Sequence, residues 1–165
     1  MGVQPRNLPG EDPEIHPAMS RSWRDHLIES DEGITDLLAG LRTVAVLGIK
    51  TPDGHPPAHF VPAYLQRAGL RVIPVPVYFP ELTELLGEPV FRSVSAIGVP
   101  VDVVDVFRRP KHLPAHLDDL LAARPRAVWL QQGIRHDEVA EQLARAGIDV
   151  VQDRCLMIEL QQRGR

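Results

Sequence analysis

Thr43-Val44-Ala45-Val46-Leu47-Gly48-Ile49-Lys50-Thr51-Pro52-Asp53-Gly54 decides how this chain is read. Val44–Leu47 is an unbroken apolar run with the length and composition of a buried strand. It breaks at Gly48 into a loop carrying Lys50, Asp53 and Gly54, and a helical pattern follows from about Ala58. Strand, glycine turn and helix form the opening unit of a nucleotide-binding α/β domain, where phosphates sit over a helix N-terminus and backbone N–H groups. Neither full fingerprint is present. Gly48 and Gly54 stand six apart, which does not make G-x-G-x-x-G, and Gly54 is followed by His55 where a Walker A loop has lysine.

Upstream, residues 1–19 carry Pro5, Pro9, Pro13 and Pro17 and little that could enter a core. Residues 1–29 therefore read as an extended or partly disordered extension, and 30–165 as one domain. From Ser30 to Leu41, Ile34, Leu37, Leu38 and Leu41 fall at helical spacing. Downstream, Phe60, Val61, Tyr64, Leu65 and Ala68 make one helical face ending at Gly69, and Pro62 fits its first turn if that helix starts near His59. Arg71–Val75 is a second strand. Leu82, Leu85 and Leu86 suggest one or two helical turns before Gly87, followed by an extended piece at Pro89–Phe91 and a turn of helix capped by Ser93. Pro100–Phe107 reads as a strand, Leu113, Leu117, Leu120 and Leu121 as a helix face, and Arg126–Gln131 as a further strand. A helix with Asp137 and Glu138 in its first turn, the strand Asp149–Val151 and a closing helix Leu156–Gln162 complete the chain. Strands alternating with helices imply βαβ units. The expected fold class is α/β, a single doubly wound, mostly parallel, Rossmann-like sheet with helices on both faces.

With 165 residues, 44% of them hydrophobic, the chain can build one ordinary core. A net charge of −4 offers no overall basic field for nucleic acid or an anionic membrane, so a phosphate site must be a local concentration of positive charge. The single cysteine, Cys155, excludes an internal disulfide and fits a reducing compartment. No apolar run approaches the roughly 20 residues that span a bilayer, and the N-terminus lacks the apolar segment of a secretory signal. The expected location is the cytoplasm.

In such sheets ligands bind outside the carboxyl ends of the strands. Those ends carry Gly48-Ile49-Lys50, Pro74–Tyr78, Phe107-Arg108-Arg109, Gln131-Gln132-Gly133 and Asp153-Arg154-Cys155. Cations and glycines recur there, and no serine or histidine stands at a nucleophile position. This is the profile of a binding crevice. NAD sites place an acid at the end of the second strand, and Val72–Pro76 has none, which disfavours NAD. Asp105, inside an apolar strand, needs a partner and is expected to pair with Arg108, Arg109 or Arg154. His55 with His59, and His112 with His116, have helical metal-ligand spacing but no accompanying Glu, and prolines interrupt both segments. Trp129 reads as core. Cys155 reads as a small buried side chain, its rival role being a mixed disulfide with a thiol ligand.

Taken together, Gly48 after a buried strand, the proline-rich entry to the first helix, VIPV, DVVDVFRR, AVWLQQG and VVQDRC followed by IE resemble the small stand-alone CoA-binding proteins. Those are similar to the CoA-binding N-terminal domain of the succinyl-CoA ligase α subunit. The resemblance spans about Leu41 to Leu160 and implies a Rossmann-like fold holding coenzyme A, its phosphates near the loop after Gly48. Pro76 departs from the asparagine usual in the family. The ligase works through a phosphorylated histidine in a second domain, for which this chain has no room. The expected ligand-binding residues are Gly48, Ile49, Lys50, Val75, Pro76, Phe107, Arg108, Arg109, Gln132 and Gly133. The expected function is binding of CoA or an acyl-CoA without catalysis by the chain alone. The alternatives are a small enzyme acting on a CoA thioester and an NAD(P)-binding oxidoreductase or regulator. A protein partner or a second copy stays open; nucleic acid, membrane and metal are not expected.

Overall fold

The computed structural model describes residues 21–165. After a turn of 3-10 helix at Trp23–His26 come α1 (Asp31–Ala39), β1 (Thr43–Leu47), α2 (Pro57–Arg67) and β2 (Arg71–Val75). A small hairpin, β3 (Glu84–Leu85) and β4 (Glu88–Pro89), precedes β5 (Val103–Val106). A 3-10 segment, Pro110–His116, runs into α3 (Leu117–Ala123), then β6 (Ala127–Leu130), α4 (Asp137–Arg145), β7 (Asp149–Val151) and α5 (Leu156–Gln162). Five strands form a parallel sheet in the order β2-β1-β5-β6-β7. The chain winds one way from β1 to β2, then crosses back and proceeds through β5, β6 and β7. The β1–β5 boundary is therefore the switch point, where loops leaving adjacent strands diverge and open a crevice.

Alternation along the strands sorts the side chains into two cores. Val44, Val46, Val103, Trp129 and Val151 share one face with Ile34 of α1, Leu65 of α2 and Leu160 of α5. Ala45, Leu47, Val104, Val106 and Leu130 share the other with Leu120 of α3 and Leu143 of α4. With both faces covered, the buried strand positions are apolar, Asp105 of β5 excepted. The α/β, doubly wound reading is the observed fold. Helix starts follow the local signals: Ser30 accepts the Gly33 N–H at 3.0 Å, and the His136 ring accepts the Val139 N–H at 3.1 Å.

The crossover from β2 to β5 corrects the sequence reading. The helical turns expected over Leu82, Leu85 and Leu86 are not formed. Leu86 and Gly87 take φ of 54° and 73°, the paired left-handed conformation of a tight hairpin turn, and β3 folds back on β4. Arg92 donates to the carbonyls of Tyr78, Phe79 and Leu82 and ties the segment into a compact loop. The turn of helix expected after Ser93 is an irregular turn instead, because the Asp119 carboxylate takes the N–H groups of Val94 and Ser95 at 2.8 and 3.0 Å.

Pro62 is a second correction. The helix begins at Pro57, not near His59, so Pro62 lies inside it, beyond the first turn. A proline there leaves the carbonyl four residues back without its helical donor. That carbonyl belongs to Ala58, and it accepts the Lys50 N–H instead, at 3.1 Å. The His59 Nδ1 lies 2.9 Å from the Lys50 carbonyl, which can only accept, so the ring carries its proton there. The backbone of Lys50 is thus held to α2 on both sides.

Both edges of the sheet meet other parts of the chain. Beside β2, Phe91 donates to the Pro74 carbonyl at 3.0 Å. Because a strand residue's N–H and C=O point the same way, the donor that Pro74 lacks would also have faced outward, where its loss is harmless. Beside β7, Leu27 bridges Val150, and the Ile28 N–H donates to the Val150 carbonyl at 2.9 Å. The expected N-terminal extension falls largely outside the described residues. Among the described residues no helix is long and apolar enough to cross a membrane.

Candidate functional site

A cleft of about 560 Å³ opens at the switch point, on the α2 and α5 side of the sheet. Phe107 and Gln131, just past the ends of β5 and β6, contribute from the sheet. One wall is the start of α2, with Pro57, Ala58 and Val61; the opposite wall is the start of α5, with Cys155, Met157 and Ile158. Lys50, Arg108, Arg109, Gln132 and Gly133 complete the lining. The cleft therefore joins an apolar trough to a group of cations. Gln131, only 4% exposed, is fixed by its side-chain oxygen, which accepts the Leu156 N–H at 2.9 Å and caps α5.

Of the ten expected binding residues, Lys50, Phe107, Arg108, Arg109, Gln132 and Gly133 line this cleft. Gly48, Ile49, Val75 and Pro76 are buried and do not line it, Val75 packing on the α3 and α4 side of the sheet. Gly48 has φ of 87°, and its N–H continues the ladder to the Val75 carbonyl at 2.9 Å. A Cβ on Gly48 would collide with the backbone carbonyl of Phe107. The glycine thus permits β1 and β5 to run on side by side. The anion loop also departs from the expected pattern. Pro56 and Pro57 carry no N–H, the Lys50 and Gly48 N–H groups are already bonded, and the His59 N–H bonds Pro56 at 2.9 Å. Among the described residues, the N–H groups of Ile49, Thr51, Asp53, Gly54 and Ala58 make no backbone hydrogen bond, so side chains and these N–H groups can both meet a phosphate.

Arg108 is the best-placed of these. Its Nε donates to His116 Nε2 at 3.1 Å, one Nη donates to the Tyr78 hydroxyl at 3.3 Å, and the guanidinium lies 5.5 Å from the Tyr78 ring centre. The hydrogen bond from Arg108, then its charge and those of Lys50 and Arg109, lower the Tyr78 pKa. Among the described residues neither Lys50, Arg109 nor Lys111 pairs with a carboxylate. A second depression of about 540 Å³ lies by Leu27, Glu29, Gln152 and Asp153. Its cations are spent: Arg135 pairs with Glu29 and Asp137, and Arg154 with Asp31 and Glu159. Of these two depressions, the first presents the unneutralised positive charge.

Asp105 is 0% exposed, and neither carboxylate oxygen finds a partner among the described residues. The ion pair expected with Arg108, Arg109 or Arg154 is not formed, since Arg108 turns to His116 and Tyr78 and Arg154 to Glu159 and Asp31. Burial raises the Asp105 pKa well above the ordinary carboxylate range. The unfolded chain releases this proton near pH 4 while the folded chain keeps it. Stability is therefore fully present below that pH and declines as pH rises toward the folded pKa, by at most about 1.4 kcal/mol per pH unit. Asp105→Asn should gain on the wild type progressively as pH rises from 4, measured as the difference in melting temperature. A difference independent of pH would refute the buried neutral acid.

Trp129 is fully buried, as expected, and its indole N–H donates to the Arg154 carbonyl at 2.7 Å. His59 and His116 are engaged by Lys50 and Arg108, and no group of three potential metal ligands occurs among the described residues. Cys155 is half-buried in the cleft wall. Of the α5 wall, the strand ends in the sequence include Cys155 but not Met157 and Ile158, which the topology brings beside α2.

A parallel sheet with its cleft at the switch point, apolar on one side and cationic on the other, presents a surface complementary to a small anionic molecule with an apolar portion. Residues 42–161 match the family model described as the CoA binding domain, and the chain belongs to that family. It is 32% identical over 126 residues to the Bacillus subtilis (strain 168) protein YneT, covering 76% of this chain and 90% of that one. The solved structure of cell-free ID.343 from Thermus thermophilus is 45% identical, with a TM-score of 0.73, over 81% of this chain and 98% of that one. A hypothetical protein from Pyrococcus horikoshii OT3 is 29% identical, with a TM-score of 0.73, over 81% and 92% of the two chains.

Proposed function

We propose that the cleft binds CoA or an acyl-CoA and that the chain performs no reaction on it alone. The phosphates sit among Lys50, Arg108 and Arg109, and the pantetheine arm lies in the trough between α2 and α5. The observation that carries this reading is the pairing of unneutralised cations with an apolar trough in one cleft, in a chain of the CoA binding domain family. Gln132 and Gly133 border the ligand, while Gly48, Ile49, Val75 and Pro76 shape the loops around it. The second strand still ends in Val75-Pro76-Val77, without the acid that would hold an NAD ribose. No nucleophile bonded to a general base occurs in the lining, which supports binding rather than catalysis.

CoA at tenfold excess over its Kd should stabilise the protein by about 1.4 kcal/mol. For a chain of this size that is a rise of roughly 4 °C in melting temperature. NAD at the same concentration should give little or none. Equal or larger stabilisation by NAD in a thermal melt would refute the reading.

A further inference from the structure

We propose that this cleft takes up a proton together with its phosphate-bearing ligand, and that His116 is the group that receives it. The inference rests on the reading of the cleft as a CoA site. Arginine can only donate, so the contact of Arg108 Nε with His116 Nε2 requires an unprotonated ring nitrogen at that position. In the free protein, Nε and one Nη of Arg108 are committed to His116 and Tyr78. A guanidinium that grips a phosphate through its Nε edge must withdraw that N–H. His116, half-buried, is then left with an orphaned lone pair beside a newly bound anion. It accepts a proton from solvent and becomes a second cation for the same phosphate.

The charges facing His116 fit this sequence. Arg108 comes from the loop after β5, His112 from the preceding turn of the 3-10 segment, and Asp119 from α3. Tyr78, from the loop after β2, is in contact with Arg108, and Lys50, Arg109 and Lys111 act on the same cluster. Burial, then Arg108 and His112, hold the His116 pKa below its ordinary value, and Asp119 opposes them. An anion that engages Arg108 offsets the main charge working against protonation. Proton and ligand then favour each other to the same extent.

CoA should be titrated calorimetrically into wild type and His116→Gln at pH 6 and pH 8, in buffers of different ionisation enthalpy. Gln keeps an oxygen that can accept from Arg108 but cannot titrate. The phosphate monoester of the ligand itself titrates near pH 6, equally for both proteins, so the comparison between them isolates His116. Wild type should gain about fivefold in affinity relative to the variant on going from pH 8 to pH 6, with proton uptake that the variant lacks. Identical pH profiles would overturn the proposal. In parallel, the His116 ring signal of wild type should be followed by NMR with and without inorganic pyrophosphate. Its titration midpoint should rise, and a midpoint that stays put overturns the proposal without relying on a variant. If CoA binds neither protein at any pH, the CoA reading fails, while a pyrophosphate-induced rise in that midpoint would still uphold the proton coupling.

Discussion

Gly48→Val is expected to cost the fold about 3–5 kcal/mol. Two effects add at this position. At φ of 87° a β-branched residue is strained. Its Cβ would also collide with the Phe107 backbone carbonyl, with the Arg108 side chain close behind. That carbonyl belongs to the segment leaving β5, so relief requires β1 and β5 to separate where both enter the cleft. A flexible side chain could step aside; backbone cannot. Denaturant midpoints of wild type and variant measure the cost. A variant that unfolds at the wild-type midpoint would mean that the two loops are not in the contact described. CoA affinity of the remaining folded fraction should fall as well, because Lys50 and Arg108 follow the two segments that are pushed apart.

Arg108→Ala should weaken CoA binding by about a hundredfold, or roughly 2.7 kcal/mol, within the range of a hydrogen bond to a charged group. The fold should tolerate the change, since Arg108 is only half-buried and makes no carboxylate ion pair. Lys50→Ala should cost less and flatten the salt dependence, because it removes one exposed, screened charge. Titration of both variants across a range of ionic strength separates these effects. Undiminished affinity in Arg108→Ala would move the phosphates away from the β5 loop. The ordering of the two variants tests whether Arg108 or Lys50 carries more of the anion recognition.

Elements whose cause is local were legible in the sequence. Val44–Leu47, Arg71–Val75 and Asp149–Val151 announce themselves by apolar runs, and Leu156–Gln162 by its helical spacing. The β2–β5 crossover was not, because its shape depends on partners distant in sequence. Leu82, Leu85 and Leu86 have helical spacing, yet Arg92 and the sheet edge impose a hairpin on them. Pro62 misled for the same reason: the donor that makes an internal proline tolerable comes from Lys50, in another loop. Asp105 was recognisable as buried, but Arg108 and Arg154 are engaged elsewhere and Arg109 stays exposed. At the site, the strand ends could be read from the fold class, whereas Met157 and Ile158 required knowing which face α5 returns to.

The covering of the two sheet edges has a consequence for how copies of this protein can meet. An open edge is a template on which a second chain can lay a further strand, the route to strand-swapped pairs and fibres. Here β2 turns Pro74 outward and gives its carbonyl to Phe91, and β7 is three residues long with Ile28 seated on it. Neither border offers the continuous row of free donors and acceptors that strand addition needs. Among the described residues, an association through the borders of the five-stranded sheet would therefore have to displace Phe91 or Ile28 first.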